Sequence, residues 1–289
     1  MAMNLLNTET QRHEGVPFFW KTLSLCLSFS VLMSSVSAQK KQKPVTGKEH
    51  LFGKALATYT ITSRELSGAT FYLVGGHGGP DPGAIGTYQG HKLHEDEYAY
   101  DIVLRLGREL LMRGAKVHFI IQDKKDGIRN GSILKNSKRE TCMGKEIPLD
   151  QNARLRQRAQ KIDQLYKKDR SAYKRAIFVH IDSRIQGKQT DVFFYHASGS
   201  KQGKRLADRM RNTLVSKYKK HQPGRGFNGT VSERNLYVLR NTQPVGVYLE
   251  LGNIRNSRDQ QRLVLESNRQ ALAKWIAEAI VADYRGGKK

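Results

Sequence analysis

The chain has 289 residues, with 50 Lys and Arg against 26 Asp and Glu, for a formal net charge of +24. Hydrophobic residues make up 38%, enough to bury a core, so a wholly disordered chain is excluded; two cysteines exclude a disulfide scaffold and a multi-cysteine zinc site. The charge excess points to a polyanionic partner: nucleic acid, anionic lipid or an anionic cell-wall polymer.

Near the N-terminus, Lys21 precedes an apolar run from Leu23 to Met33, and Val36-Ser37-Ala38 places small residues before the polar Gln39-Lys40-Lys41. Charged, apolar and small residues in that order predict a secretory signal over residues 1–38, cleaved after Ala38 and too short to remain as a stable membrane span. Cleavage removes two basic and two acidic residues, so the exported chain keeps the full +24. Export to a periplasm or cell envelope removes nucleic acid from the expected partners. Residues 39–69 read as a basic linker with one strand at Ala57–Thr62.

Strand and helix patterns then alternate over residues 70–284, leaving a short tail at 285–289. Ala69–Val74 is an apolar strand ending in glycines. Glu95–Arg113 is helical, with Ala99, Val103, Leu106 and Leu110 spaced three or four apart. Lys116–Gln122 is the next strand. Residues 124–150, rich in Gly, Asn and Lys, read as a long solvated loop, or a lid. A helix over Leu149–Tyr166 follows, then strands at Ala176–Ile181 and Asp191–Tyr195. Ser200 caps a helix running to about Tyr218. Asn235–Leu239 and Gly246–Leu251 read as strands, and helices near Ser257–Glu266 and Asn268–Tyr284 close the series. The alternation predicts an α/β fold, a single domain with a mainly parallel twisted sheet flanked by helices on both faces.

In such folds ligands gather at the carboxyl ends of the strands. His77 follows the first strand, His180 lies near the end of AIFVHI, Glu250 near the end of VGVYLE, and Glu95 opens the first helix. Two imidazoles and a carboxylate, with a second carboxylate nearby, make a candidate zinc set with one position open. The spacing alone does not decide between a metal site and unrelated polar residues. Glu97 rivals Glu95 by position. His91 and His94 look like a metal pair, but exposed histidines at helix starts are common. Asp81 and Asp182 could orient ligand histidines.

The stretches GGHGGPDPGAIG (75–86), LHEDEYAYDIVLRL (93–106), FVHIDS (178–183) and NLYVLRNTQPVGVYLELGNIRN (235–256) resemble, in order and spacing, the zinc-dependent N-acetylmuramoyl-L-alanine amidases, over about residues 70 to 284. The resemblance implies Zn2+ bound by His77, Glu95 and His180, with Glu250 acting on the attacking water. It implies a hydrolase for the amide between N-acetylmuramic acid and L-alanine, with peptidoglycan as substrate. Val74-Gly75 stands where the family usually has Asp-Pro, and Ile181 and Asn253 also depart from its pattern without removing a ligand. The helix that blocks the site in cell-division members is absent after Asp191–Tyr195, so regulation by it is not expected; an activator protein is not identified. Two other readings stay open: a zinc peptidase acting within the stem peptide, and a non-catalytic protein that binds anionic glycan. Residues 124–175 carry +10 and residues 200–225 carry +8, which places most of the charge where it could hold the protein on anionic cell-envelope polymers.

Overall fold

In this computed structural model, which describes residues 44–183 and 187–287, the long apolar runs lie side by side. Strands β1 (Ala69–Gly75), β2 (Lys116–Phe119), β3 (Tyr173–Asp182), β4 (Phe193–His196), β5 (Thr230–Glu233) and β6 (Val245–Asn253) form one sheet in the order β5-β4-β6-β3-β1-β2. Strands β2, β1, β3 and β6 are parallel; β4 is antiparallel to β6 and carries β5 parallel to itself. The central strands are apolar on consecutive residues because both faces are covered. Alternation sends Phe71, Leu73, Ile177, Val179, Val247 and Leu249 to one face, and Tyr72, Val74, Ala176 and Phe178 to the other.

The first face is covered by α1 (Glu95–Met112), α3 (Lys201–His221) and α6 (Glu266–Gly286), with α5 (Ser257–Val264) against α6 and β6. The second carries α2 (Gln151–Lys168), through Ile162, and the short α4 (Tyr237–Arg240), through Val238 and Leu239. Helices thus cover both faces of a mainly parallel sheet, as the alternation predicts. Ser200 caps α3, its hydroxyl accepting from the Gly203 N–H. No helix among the described residues is long and apolar enough to cross a membrane. The expected signal segment, residues 1–38, lies outside the described residues.

Several elements differ from the sequence reading. Asn235–Leu239 is not a strand: the chain turns into α4 there, and the short apolar run Leu236–Leu239 suits either state. The neighbouring strand is β5, whose exposed TVSE stretch at the sheet edge carries almost no apolar signal. Lys116–Gln122 breaks at Ile120, and Ile121–Gln122 pairs with Thr141–Cys142 instead. Ile85–Tyr88 and His91–His94 form a hairpin across Gln89-Gly90, both at positive φ. Within the expected linker, Thr46–Lys48 pairs with Thr58–Thr60, and Phe52 and Leu66 are buried.

Residues 124–150 are bound to the core by side chains that reach out to their backbone. The Tyr98 hydroxyl donates to the Ser132 carbonyl (2.7 Å), Arg105 to the Arg129 carbonyl (2.9 Å), and Arg269 to the carbonyls of Arg129 (2.7 Å) and Gly131 (3.0 Å). Arg269 is fully buried against Asp101, itself fully buried. A loop rich in Gly, Asn and Lys can be fixed in this way because its carbonyls, which composition does not reveal, are the groups being bound.

Candidate active site

The four polar residues singled out at the strand ends converge. His180 and Glu250 are direct register partners on the parallel strands β3 and β6, so their side chains leave the same face of the sheet. His77 sits in the turn after β1, and Glu95 is the first residue of α1. Donor atoms of His77, Glu95 and His180 lie within 4.8 Å of one another. Glu97, the rival by position, points instead to Arg129, at 2.8 Å. His91 and His94 are outside the cluster.

Glu95 is 3% exposed. Its Oε1 stands 2.9 Å from His180 Nδ1 and accepts from the Ile181 N–H at 3.0 Å; its Oε2 stands 3.2 Å from His77 Nε2 and accepts from the Ala84 N–H at 2.8 Å. Burial works against its ionisation, but the hydrogen bonds to His180 and His77 prevail and hold it well below the usual carboxylate range. Burial pushes His180 down. Burial also disfavours a charged His77, yet its hydrogen bonds to Asp81 and Glu95 lift it to about 10. Asp81 Oδ2 lies 2.7 Å from His77 Nδ1 and 2.6 Å from an Arg154 nitrogen. Despite its burial, the bond to His77 brings Asp81 down to about 2. A carboxylate on Nδ1 fixes the tautomer that offers Nε2 as a donor.

The backbone is shaped around these groups. His77 has φ +57°, which a non-glycine residue rarely adopts. Arg158, hydrogen-bonded to the His77 carbonyl, and the Gly78 N–H, donating to Asp81 O at 2.8 Å, hold it there. A Cβ on Gly76 would fall 2.3 Å from His180 Nδ1, and one on Gly83 would fall 2.6 Å from the His77 ring. Both glycines are therefore the space that the imidazoles occupy. Two imidazole nitrogens and a carboxylate oxygen at this spacing fit a divalent cation with a remaining position for water or substrate.

An open cleft of about 730 Å3 lies over the cluster, with Glu250, Arg154, Arg234 and Arg255 in its walls. Tyr248, two residues before Glu250, stacks on the His180 ring at 4.4 Å between centroids and 14° between planes. Sequence reasoning passed over Tyr248 and the two α2 arginines, 154 and 158. The strand alternation could have found Tyr248, since it shares a face with Glu250; the arginines join the site only through the packing of α2. Asp81, weighed as a group orienting a histidine, does contact one.

Residues 72–282 match the family described as N-acetylmuramoyl-L-alanine amidase. Among relatives, YqiI of Bacillus subtilis is 25% identical over 233 residues, covering 79% of this chain and 91% of its own. The germination-specific N-acetylmuramoyl-L-alanine amidase of the same organism is 25% identical over 223 residues, covering 76% and 81%. The solved CwlD amidase from Clostridioides difficile, in complex with the GerS lipoprotein, shares the fold with TM-score 0.56 at 21% identity, over 75% of this chain and 98% of its own.

Proposed function

The chain belongs to the N-acetylmuramoyl-L-alanine amidase family, and we propose that it hydrolyses the amide between N-acetylmuramic acid and L-alanine with zinc held by His77, Glu95 and His180. The observation that carries this reading is the meeting of those three donors, from three separate elements, beside the register neighbour Glu250. When bound, zinc supplies a Lewis acid that polarises the scissile carbonyl and makes water acidic near neutral pH.

The chain's own residues do the rest. Asp81 keeps the His77 ring oriented, and Glu95, ionised between the two imidazoles, lowers the positive charge of the centre. Tyr248 fixes the plane of His180. Glu250, half-buried on the cleft wall, takes the proton from the attacking water and returns it to the departing amine of L-alanine. Arg154, Arg234 and Arg255 give the cleft a positive wall suited to an anionic stem peptide.

Digestion of purified peptidoglycan followed by mass spectrometry tests the reaction. Free muramoyl lactyl carboxylates together with peptides that keep an L-alanine amino terminus are expected; cuts within the stem peptide would instead identify a peptidase. Export through residues 1–38 and retention on the envelope by residues 124–175 and 200–225 belong to the same proposal. Retention on purified cell walls should then fall steeply as salt rises, and salt-insensitive retention would contradict it.

A further inference from the structure

A second group of carboxylates lies next to the first along α1. Asp96, Glu97 and Glu140 each bring an oxygen to within 4.8 Å of the others, and they are 3%, 1% and 5% exposed. Glu97 accepts from the Ser137 N–H and pairs with Arg129 at 2.8 Å. Glu140 Oε2 accepts from the Gly79 N–H at 2.9 Å, and Asp96 Oδ1 from the Glu97 N–H at 2.9 Å. Asp96 Oδ2 is buried with no hydrogen-bond partner among the described residues. Among the described residues, Arg129 is the guanidinium in direct contact with these three carboxylates, and an undercompensated buried charge is costly to keep.

We propose that Asp96, Glu97 and Glu140 form a Ca2+ site, separate from the His77–Glu95–His180 set. The donors are all oxygen, with no imidazole or thiolate, which selects a hard cation. Burial favours Ca2+ over Mg2+, because Ca2+ accepts mono- and bidentate carboxylates in flexible numbers while Mg2+ keeps its waters. Donors no more than 4.8 Å apart can be bridged by two Ca–O bonds of about 2.3–2.6 Å. Asp96 Oδ2 gains the partner it otherwise lacks. The site joins the start of α1 to the 124–150 segment and, through the Gly79–Glu140 bond, to the turn bearing His77. It brackets the candidate active site without entering it, so it stands independently of the reaction assigned above.

The test uses the full chain loaded with zinc and titrated with CaCl2 or MgCl2 at constant ionic strength, read by calorimetry and thermal unfolding. One Ca2+ per chain beyond zinc is expected, with a rise in Tm of about 5–10 °C at about 100 Kd and a weaker response to Mg2+. Asp96→Asn and Glu140→Gln should each lose the heat and the shift while keeping zinc content. Should a variant fail to fold, Tb3+ replaces Ca2+ on the wild-type chain. Tyrosine-sensitised emission that saturates at one ion and is displaced by Ca2+ supports the site, and its absence overturns it. No response of the wild type to Ca2+ up to about 10 mM, well above the weakest protein sites, overturns the proposal, as does Ca2+ binding that survives both substitutions. A Tm that rises on acidification and ignores Ca2+ would assign the cluster to a shared proton instead.

Discussion

Replacing Gly76 with alanine adds one methyl group to the most crowded point of the candidate site. Gly76 is not in the left-handed region, so its backbone accepts alanine and the effect is steric. The new Cβ would sit 2.3 Å from His180 Nδ1 and 2.4 Å from Cε1, about 1 Å inside ordinary contact. The ring has nowhere to recoil. Gly76 bonds to β3 from the β1 side, its N–H donating to Val179 O at 2.8 Å, while Tyr248 stacks on the ring from β6 and Glu95 holds Nδ1 at 2.9 Å. Relief requires a displacement near 1 Å, several times the roughly 0.2 Å tolerance of a metal–ligand distance. A misplacement of that size costs about 10²-fold in rate, and overpacking costs about 1–3 kcal/mol of stability. Metal analysis after dialysis, kcat/KM on a muramoyl-peptide substrate and thermal unfolding should be measured together. Zinc affinity and kcat/KM should each drop at least ~10²-fold, with a fall in Tm of only a few degrees. Gly131→Ala, whose Cβ would meet only Ile133 O at 3.4 Å, serves as the control. A Gly76→Ala protein with wild-type zinc content and rate would refute the placement of His180 among the donors.

Glu250→Gln should cut hydrolysis by about 10²–10⁴-fold while zinc content stays at the wild-type level; equal loss of both would move Glu250 from proton transfer to metal binding. Asp81→Asn should weaken zinc by about 10–100-fold through His77 alone, read by competition with a chromogenic chelator. Because His77 is lifted to about 10 in the metal-free protein, zinc uptake at neutral pH should release a proton. Calorimetric heats that do not vary with the buffer's ionisation enthalpy would contradict that. Asp169, held below its usual range despite burial by Lys116 and by the Tyr72 hydroxyl at 2.7 Å, supplies stability above its unfolded pKa of about 3.9. That stability is lost as pH falls through the lower folded value. Asp169→Asn should accordingly cost about 1–3 kcal/mol at pH 7 in urea unfolding, and progressively less as the wild type is acidified; a constant difference would argue against an ionic role.

The central strands were legible because burial on two faces demands consecutive apolar residues, as in Ala69–Gly75. Edge strand β5 was not, since an exposed TVSE needs no apolar residue and its partner β4 is distant in sequence. His180 and Glu250 could be found from the rule that ligands gather at strand ends, and the choice of Glu95 over Glu97 came from the family resemblance, Glu97 turning to Arg129 in the structure. Tyr248 was missed, although alternation from Glu250 puts it on the same face of the strand. Glu140 on Gly79 spans 61 residues and leaves no local trace. The same holds for Arg158 on His77, 81 residues apart.

The tether between Arg269 and the Arg129 carbonyl joins positions 140 residues apart, and it makes a loop in the middle of the chain depend on the last helix. Tyr98 and Arg105 on α1 hold part of residues 126–140, and the guanidinium that completes the hold on their backbone arrives with that last helix. Glu140 lies in the same segment and accepts from Gly79 beside the His77 turn. A chain clipped before Arg269 is therefore expected to loosen residues 126–140 first, read as faster amide exchange there.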